Sequence, residues 1–235
     1  MSRWIIPDVH GCAKTLKSLV ESFLKLTKED DLYLLGDYID RGPNSKEVLD
    51  YIMALQEAGY RLHCLKGNHE DYCVETWEAD QKHHLFKTPT QRLWENVGAK
   101  ETYKSFGVKR PRDIPKQYID WMRDLPYYFE LENFILVHAG LNFSAENPFE
   151  DLHSMTRVRN FKVDFNKTHG KRIIHGHIPV DYSFIDHVIH HQNNYDFIAL
   201  DNGVFNTNKT DMGNLMAFNP DTNELFAQTN MDMSF

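Results

Sequence analysis

Three short blocks of the sequence combine carboxylate, amide and imidazole side chains with glycine. They are Pro7-Asp8-Val9-His10-Gly11, Gly36-Asp37-Tyr38-Ile39-Asp40-Arg41-Gly42 and Gly67-Asn68-His69-Glu70. Oxygen and imidazole donors without thiolate suit Mn, Fe or Zn better than they suit a structural zinc cage. A shared aspartate can bridge two such ions about 3.5–4 Å apart, and the ion pair lowers the pKa of bound water and holds a phosphoryl oxygen. The blocks therefore indicate metal-assisted hydrolysis of a phosphate ester.

Apolar segments before the polar residues predict the strands that would position them. Each side chain of metal-binding type follows one such strand: Asp8 after 3–7, Asp37 after 32–35, Asn68 after 61–66, His138 after 134–137 and His177 after 172–174. Ligand crevices of open α/β sheets lie at the carboxyl ends of the strands. We therefore expect these side chains to form one site.

The order of elements predicts one α/β domain over residues 1–235. The first third alternates predicted strands with helices around 16–24 and 44–55, which favours parallel strands with right-handed crossovers. Residues 71–125 are mostly helical by pattern and are interpreted as a layer or cap on the same domain. From residue 127 onward the pattern favours strands, at 127–131, 134–137, 172–174, 183–189, 197–200, 215–218 and 225–227.

Composition narrows the classes of function. The formal net charge of -8 argues against a general nucleic-acid or anionic-membrane binder, which would need a basic excess. A phosphorylated substrate is still allowed, because bound metal ions reverse the local field. Three cysteines without C-x-x-C spacing are typical of free thiols in a reducing compartment. With no signal-peptide pattern and no apolar run approaching ~20 residues, we expect a cytoplasmic protein.

Taken one at a time, the blocks have simpler explanations. Asp-x-His is common by chance, Asn68-His69-Glu70 could be an ordinary helix N-terminus, and Asp40-Arg41 could lie in a solvated turn. Their order along the chain, together with the predicted strand that precedes each one, favours a single site.

Together the blocks resemble the phosphoprotein phosphatase family, the metallophosphatases of serine/threonine protein phosphatase type. The bacterial and phage branch, which includes the phage lambda phosphatase, is the most similar. The resemblance extends through His138-Ala139-Gly140 and Gly176-His177 and covers residues 4–203. It implies a four-layer αββα sandwich of two mixed sheets flanked by helices. It also implies a serine/threonine or dual-specificity protein phosphatase, with direct in-line attack by a metal-bound hydroxide.

The resemblance also assigns roles by position. It implies two metal ions, most often Mn with Fe or Zn as alternatives. The implied roles are Asp8 and His10 on one ion, Asp37 as the bridge, Asn68, His138 and His177 on the second ion, Arg41 and Arg159 on the phosphate, and His69 as general acid oriented by Asp40. Arg157 is the fallback for Arg159, and it stands where the family often has tryptophan. The substrate would be a phosphorylated protein or a small phosphoester, and the sequence leaves the oligomeric state open.

Two other functions remain as alternatives. The related symmetrical diadenosine tetraphosphatases share the first block but usually carry Ala-Arg-Gly where this chain has Asp40-Arg41-Gly42, and aspartate where it has Glu70. Both differences favour a protein phosphatase, although substrate specificity changes easily within one fold. A catalytically silent metal-binding module would lack a ligand or the general acid, and the sequence retains them all.

Overall fold

The protein is described by a computed structural model that covers residues 1–82 and 86–233. Residues 83–85 of the predicted helical layer and residues 234–235 of the predicted domain lie outside the described residues. The strands are β1 (Arg3–Ile6), β2 (Asp31–Leu34), β3 (Arg61–Cys64), β4 (Tyr128–Glu130), β5 (Phe134–Val137), β6 (Arg172–His175), β7 (Phe197–Ala199), β8 (Asn214–Phe218) and β9 (Leu225–Thr229). The helices are α1 (Ala13–Ser18), α2 (Ser45–Glu57), α3 (Asn68–Gln81), α4 (Pro89–Val97), α5 (Ala99–Phe106), α6 (Lys116–Arg123), α7 (Leu152–Arg157) and α8 (Tyr182–His190).

The strands form two mixed sheets. One sheet has the order β3-β2-β1-β8-β9, in which β1, β2 and β3 are parallel and β8 and β9 run antiparallel. The other has the order β4-β5-β6-β7, in which β5, β6 and β7 are parallel and β4 is antiparallel. The parallel strands of each sheet therefore end at a common edge, as the sequence predicts.

Apolar side chains fill three layers around these sheets. Because side chains alternate along a strand, Ile5 of β1 faces the cluster shared by both sheets, whereas Ile6 faces a cluster that includes the helices. The shared cluster includes Leu136 of β5 and Phe218 of β8. A third cluster packs Met155 of α7 against the other face of the β5 sheet. The expected arrangement of two mixed sheets flanked by helices is confirmed.

The prediction of a strand at 183–189 is wrong, because this segment lies in α8. Its buried residues Ile185, Val188 and Ile189 recur at i, i+3 and i+4, which is one face of a helix. The β-branched residues suggested a strand, but packing of this helical face against the shared cluster determines the structure.

The middle segment is helical, as predicted, and consists of α3 to α6 with a short 3-10 turn at Pro111–Asp113. Its buried residues Trp94, Ile119 and Met122 belong to the same cluster as Ile6 and α1. The assignment of residues 1–235 to one domain stays a prediction. Within 1–82 and 86–233, no helix combines the length and the apolar character needed to cross a bilayer.

Candidate active site

The strand ends bring the predicted metal-ligand side chains into one buried cluster. His10 Nε2 lies 3.6 Å from Asp37 Oδ2, and His138 Nε2 lies 3.5 Å from Asp37 Oδ1. The same Nε2 atom of His138 also lies 3.1 Å from Asn68 Oδ1 and 3.2 Å from His177 Nδ1. Side chains from four other segments of the chain therefore form a cluster with Asp37.

Asp37 is shared by two groups of donor atoms. His10, Asp37 and His69 form one group, and Asp37, His138 and His177 form the other, with the donor atoms of each group within 4.8 Å of one another. Asp8 lies beside both groups, since its Oδ2 is 3.8 Å from His10 Nε2 and its Oδ1 is 3.9 Å from His138 Nδ1. A shared carboxylate between two donor groups is the arrangement that a bridged ion pair requires.

Several donor atoms of the cluster are buried without a hydrogen-bond partner. Among the described residues these include Asp8 Oδ2, His10 Nε2 and His177 Nε2. An unpaired buried polar atom is costly, so native proteins rarely leave several of them together. Cations bound between these atoms would satisfy them, and oxygen with imidazole nitrogen is a suitable donor set for Mn, Fe or Zn. The residues present therefore fit two metal ions.

The charges of the cluster also fit two bound metal ions. Burial opposes ionisation of Asp37, but the imidazoles of His138, His69 and His10 hold its pKa far below the usual range. Burial and the charges of Asp201 and Asp37 raise the pKa of Asp8 well above its usual range. Burial also lowers the pKa of His10, so its ring is neutral and able to ligate a metal. Bound cations would reverse the repulsion between the carboxylates.

The second ring nitrogen of two candidate ligand histidines lies against a backbone carbonyl. His10 Nδ1 lies 3.0 Å from the Ile39 carbonyl oxygen, and His138 Nδ1 lies 3.0 Å from that of Leu35. The Nδ1–H of each ring donates to its carbonyl, which leaves Nε2 unprotonated and turned toward Asp37. The neighbouring loops therefore select the tautomer that can bind a metal.

The backbone of the site is strained. Positive φ angles occur at five non-glycine residues of the site: His10 (44°), Asp37 (53°), Asp40 (72°), Arg41 (66°) and His177 (68°). This left-handed region is uncommon for residues with a Cβ, and strain of this kind clusters at functional sites. The surrounding packing holds these turns open so that the side chains converge.

Two glycines make room for the carboxylates. A Cβ at Gly176 would lie 2.2 Å from Asp8 Oδ1, and a Cβ at Gly67 would lie 2.1 Å from Asp37 Oδ1. Both distances are far inside van der Waals contact, so neither position accepts a side chain unless the carboxylate moves.

Asp40 and His69 form a buried pair. His69 Nδ1 lies 2.6 Å from Asp40 Oδ2, and Trp94 Nε1 also donates to this oxygen at 2.6 Å. Thr102 Oγ1 donates to the other carboxylate oxygen. Burial opposes protonation of His69, but Asp37 and Asp40 raise its pKa. Nε2 of His69 therefore faces Asp37, 3.7 Å away, on a ring that is oriented by Asp40.

Arg41 extends its guanidinium along the same side of the site. Its Nη2 lies 3.4 Å from His69 Nε2, and its guanidinium carbon lies 4.1 Å from the ring centre of Phe205. The Phe205 ring also meets the His10 ring edge-on at 5.1 Å. Stacking on an aromatic face holds the cation in place while leaving its N–H groups able to bind an anion.

The two candidate arginines after His138 differ in their surroundings. Arg157 donates to Asp71 Oδ2 at 2.9 Å and lies over the Tyr72 ring. Arg159 is exposed, and within 1–82 and 86–233 it has no hydrogen bond or ion pair. Burial lowers the pKa of His177 to about 3, and the charge of Arg159 contributes to the shift. Among the described residues, Arg159 therefore has no protein partner, whereas Arg157 is already paired with Asp71.

Sequence reasoning missed several residues of the site. Asp201 is buried, its Oδ1 accepts from the Gly203 N–H at 2.7 Å, and its Oδ2 has no partner among the described residues. It follows β7 in the same way that Asp8 follows β1, so the strand-end argument could have found it. Glu70 is also buried, and its carboxylate accepts from the N–H groups of Asp37, Tyr38 and Gly67. Trp94, Thr102 and Phe205 gave no such signal.

The two mixed sheets and the buried cluster of oxygen and imidazole donors are those expected of a metallophosphatase. A family model described as calcineurin-like phosphoesterase matches residues 1–211. The chain belongs to this family.

The curated relatives are named for nucleotide substrates. The symmetrical bis(5'-nucleosyl)-tetraphosphatase of Pseudomonas putida (strain W619) is 30% identical over 143 residues, which are 60% of this chain and 43% of the relative. The enzyme of the same name from Erwinia tasmaniensis is 29% identical over 143 residues, which are 60% of this chain and 45% of the relative. The chain thus matches under half the length of these relatives. They support the dinucleoside alternative better than the expected protein-phosphatase branch.

Solved structures share the fold. A putative diadenosine tetraphosphatase superposes with a TM-score of 0.63 at 17% identity, covering 96% of this chain and 91% of that one. A protein serine/threonine phosphatase from Saccharomyces cerevisiae superposes with a TM-score of 0.64 at 12% identity, covering 100% and 81%. At such low identity these similarities show the fold alone.

Proposed function

We propose that this protein hydrolyses dinucleoside polyphosphates with the help of two metal ions. The observation that carries the proposal is the Asp37-centred double cluster, together with relatives that are named as symmetrical tetraphosphatases. Asp8 and His10 would hold one ion, Asn68, His138 and His177 the other, and Asp37 both. When bound, the ions lower the pKa of water and polarise a phosphoryl oxygen.

The chain's own cations would bind the phosphate. Arg41 lies against Phe205 and 3.4 Å from His69, and Arg159, which has no partner among the described residues, lines a cavity together with His175. Their N–H groups can donate to the non-bridging oxygens on which charge accumulates during displacement at phosphorus. Since Arg157 is already engaged with Asp71, Arg159 is the better candidate for this role.

His69 would supply a proton to the leaving oxygen. Asp40 accepts from Nδ1 and so holds the ring with Nε2 directed at the cluster. A positioned acid is typically worth about 10²–10⁴-fold in rate when the leaving group is a poor one. Phosphate-chain leaving groups need less help, so the acid matters most for alkyl esters.

A phosphorylated serine or threonine protein is the second candidate substrate. The observation that favours it is the buried Asp40–His69 pair, because the related tetraphosphatases usually carry alanine in place of Asp40. A retained acid would be most useful against the alkoxide that leaves from phosphoserine.

A parallel substrate assay distinguishes the two candidates. Metal-free protein is reconstituted with Mn²⁺ and offered bis(5'-adenosyl) tetraphosphate, a phosphoserine peptide and an aryl phosphate. We expect the highest kcat/KM on the tetraphosphate, with two molecules of nucleoside diphosphate as products. A higher kcat/KM on the phosphopeptide would overturn the proposal in favour of the second candidate.

A further inference from the structure

A cavity of about 250 Å³ lies beside the metal-ligand cluster. Its walls include the rings of Phe161, His175, Phe184 and Phe197, and Arg159 lies at its edge. The rings of Phe161, His175 and Phe197 pack against one another, with ring centroids 5.4–5.7 Å apart. We refer to it as the aromatic cavity.

The aromatic cavity is tied to the loops that carry the proposed metal ligands. His175 ends β6 and comes two residues before His177. Phe161 packs on Gly140, two residues after His138, so closely that a Cβ on this glycine would lie 2.3 Å from the ring. A ligand in the cavity would therefore lie next to the cluster.

The cavity also offers polar groups that have no partner. His175 is only 5% exposed, and its Nε2 is buried without a hydrogen bond in the described part of the chain. Within the same residues, the side chains of Asn160 and Arg159 make no hydrogen bond. Asn160 and Arg159 are exposed and line the cavity, so they can hydrogen-bond a flat ligand that carries donors and acceptors on its edge.

We propose that the aromatic cavity binds one nucleobase of the substrate, and that the phosphate chain runs from it past Arg159 to the cluster. This inference rests on the proposed function and specifies how the substrate is recognised. Purine rings stack on aromatic side chains and carry hydrogen-bonding edges, and Arg159 matches the negative charge of the phosphates. The cavity is smaller than the roughly 300–1,000 Å³ of a typical ligand pocket, which suits a single ring system.

The test compares two exposed phenylalanines on helical segments. Phe184→Ala removes a cavity wall, while Phe23→Ala removes a ring of similar exposure that packs on Phe226 instead. Binding of ADP and of inorganic pyrophosphate to the Mn²⁺-loaded proteins is measured by calorimetry, because without metal ions the buried carboxylates would repel both anions. We expect Phe184→Ala to weaken ADP binding about 10-fold, because a stacking partner is lost. The affinity of Phe184→Ala for pyrophosphate, which carries no base, should stay unchanged. The affinities of Phe23→Ala for ADP and for pyrophosphate should also stay unchanged.

A second variant separates ring loss from local unfolding. Phe197→Leu keeps an apolar side chain in the cavity but removes the flat ring, and it should also weaken ADP more than pyrophosphate. The inference is overturned when wild-type protein does not bind ADP, or when both cavity variants bind it as wild type does. It is also overturned when both variants raise KM for the phosphoserine peptide and leave ADP binding intact.

The substrate assay distinguishes failure of the nucleobase site from failure of the proposed hydrolytic function. Wild-type protein that binds ADP through the cavity but does not cleave the tetraphosphate would contradict the proposed function alone. Cleavage of the tetraphosphate with a KM that is the same in Phe184→Ala would contradict the nucleobase site alone.

Discussion

His69 Nδ1 lies 2.6 Å from Asp40 Oδ2 in a pocket from which water is excluded, since both side chains are at most 1% exposed. Asp40 receives further hydrogen bonds from Trp94 and Thr102, so three donors fix one carboxylate. In a buried setting such charge-assisted bonds are strong and hold the imidazole in one orientation. This relationship makes His69 an oriented proton donor in our account.

Replacing His69 tests that role. For His69→Asn we expect turnover of an alkyl phosphate to fall about 10²–10⁴-fold, because an alkoxide leaves poorly without a proton. Turnover of an activated aryl phosphate should fall much less. Metal content, measured by mass spectrometry, should stay at the wild-type level. Loss of a metal ion would instead make His69 a ligand, and equal losses on the two substrates would contradict the acid role.

Trp94 should support catalysis without touching substrate. Trp94→Phe keeps the buried ring but removes the N–H that donates to Asp40, so we expect a drop in kcat of roughly 10-fold, which is typical for outer partners of a metal site. The matched control is Trp77→Phe, which removes a similar bond to the Ile114 carbonyl. Kinetics on the same alkyl phosphate compare the two. If Trp77→Phe were as slow as Trp94→Phe, the drop in kcat would come from a general packing effect and not from the hydrogen bond to Asp40.

Gly176 should be required for metal affinity. An alanine Cβ would fall 2.2 Å from Asp8 Oδ1, so Gly176→Ala must displace this ligand. We expect metal affinity to fall at least about 10-fold, as measured by competition with a chelating dye. Gly170→Ala is the control, because nothing lies within 4 Å of its Cβ although its φ is +80°. Unchanged affinity in Gly176→Ala would place Asp8 outside the metal site.

The end of α3 should contribute pH-dependent stability. Burial opposes ionisation of Asp80, but hydrogen bonds from Arg110 and Arg112 lower its pKa. A carboxyl whose folded pKa is depressed stabilises the fold above its unfolded pKa of about 3.9, and this stability is lost as the pH falls through the folded pKa. Asp80→Asn should therefore lower the free energy of unfolding by about 1–2 kcal/mol at neutral pH.

Urea unfolding at pH 7 and at successively lower pH checks this expectation. The difference between wild type and Asp80→Asn should shrink below pH about 3.9. Asp120→Asn is the control, since its ion pairs with Lys116 and Arg123 are exposed and screened by water. A difference that stays constant with pH would show that the amide acts through packing alone.

The sequence predicts which side chains converge wherever a candidate ligand follows a strand, while the metal-binding roles of these side chains stay predictions. Asp8, Asp37 and His138 each come directly after or near an apolar run, and parallel strands must end at a common edge. The same pattern at β7 points to Asp201, which the sequence analysis overlooked. The alternation of strands and helices therefore reveals those side chains whose position follows from the strand just before them.

The partners of those side chains depend on tertiary packing. Trp94 and Thr102 meet Asp40 across 54 and 62 residues of sequence, and nothing in the local pattern of α4 or α5 indicates these contacts. Segment 183–189 shows the same limit of local pattern. Its β-branched residues are compatible with a strand, but tertiary packing stabilises a helix there. Long-range contacts of this kind appear only in the folded chain.

The central claim, a site built around Asp37 for two metal ions, is tested most directly by titrating metal-free protein with Mn²⁺. Bound metal and turnover of bis(5'-adenosyl) tetraphosphate are followed in the same samples. In wild type, we expect turnover to rise with bound metal and to level off at two ions per chain. We expect Asp37→Asn neither to bind two ions nor to reach this turnover. Full turnover without metal, or a plateau at one ion per chain, would contradict the central claim.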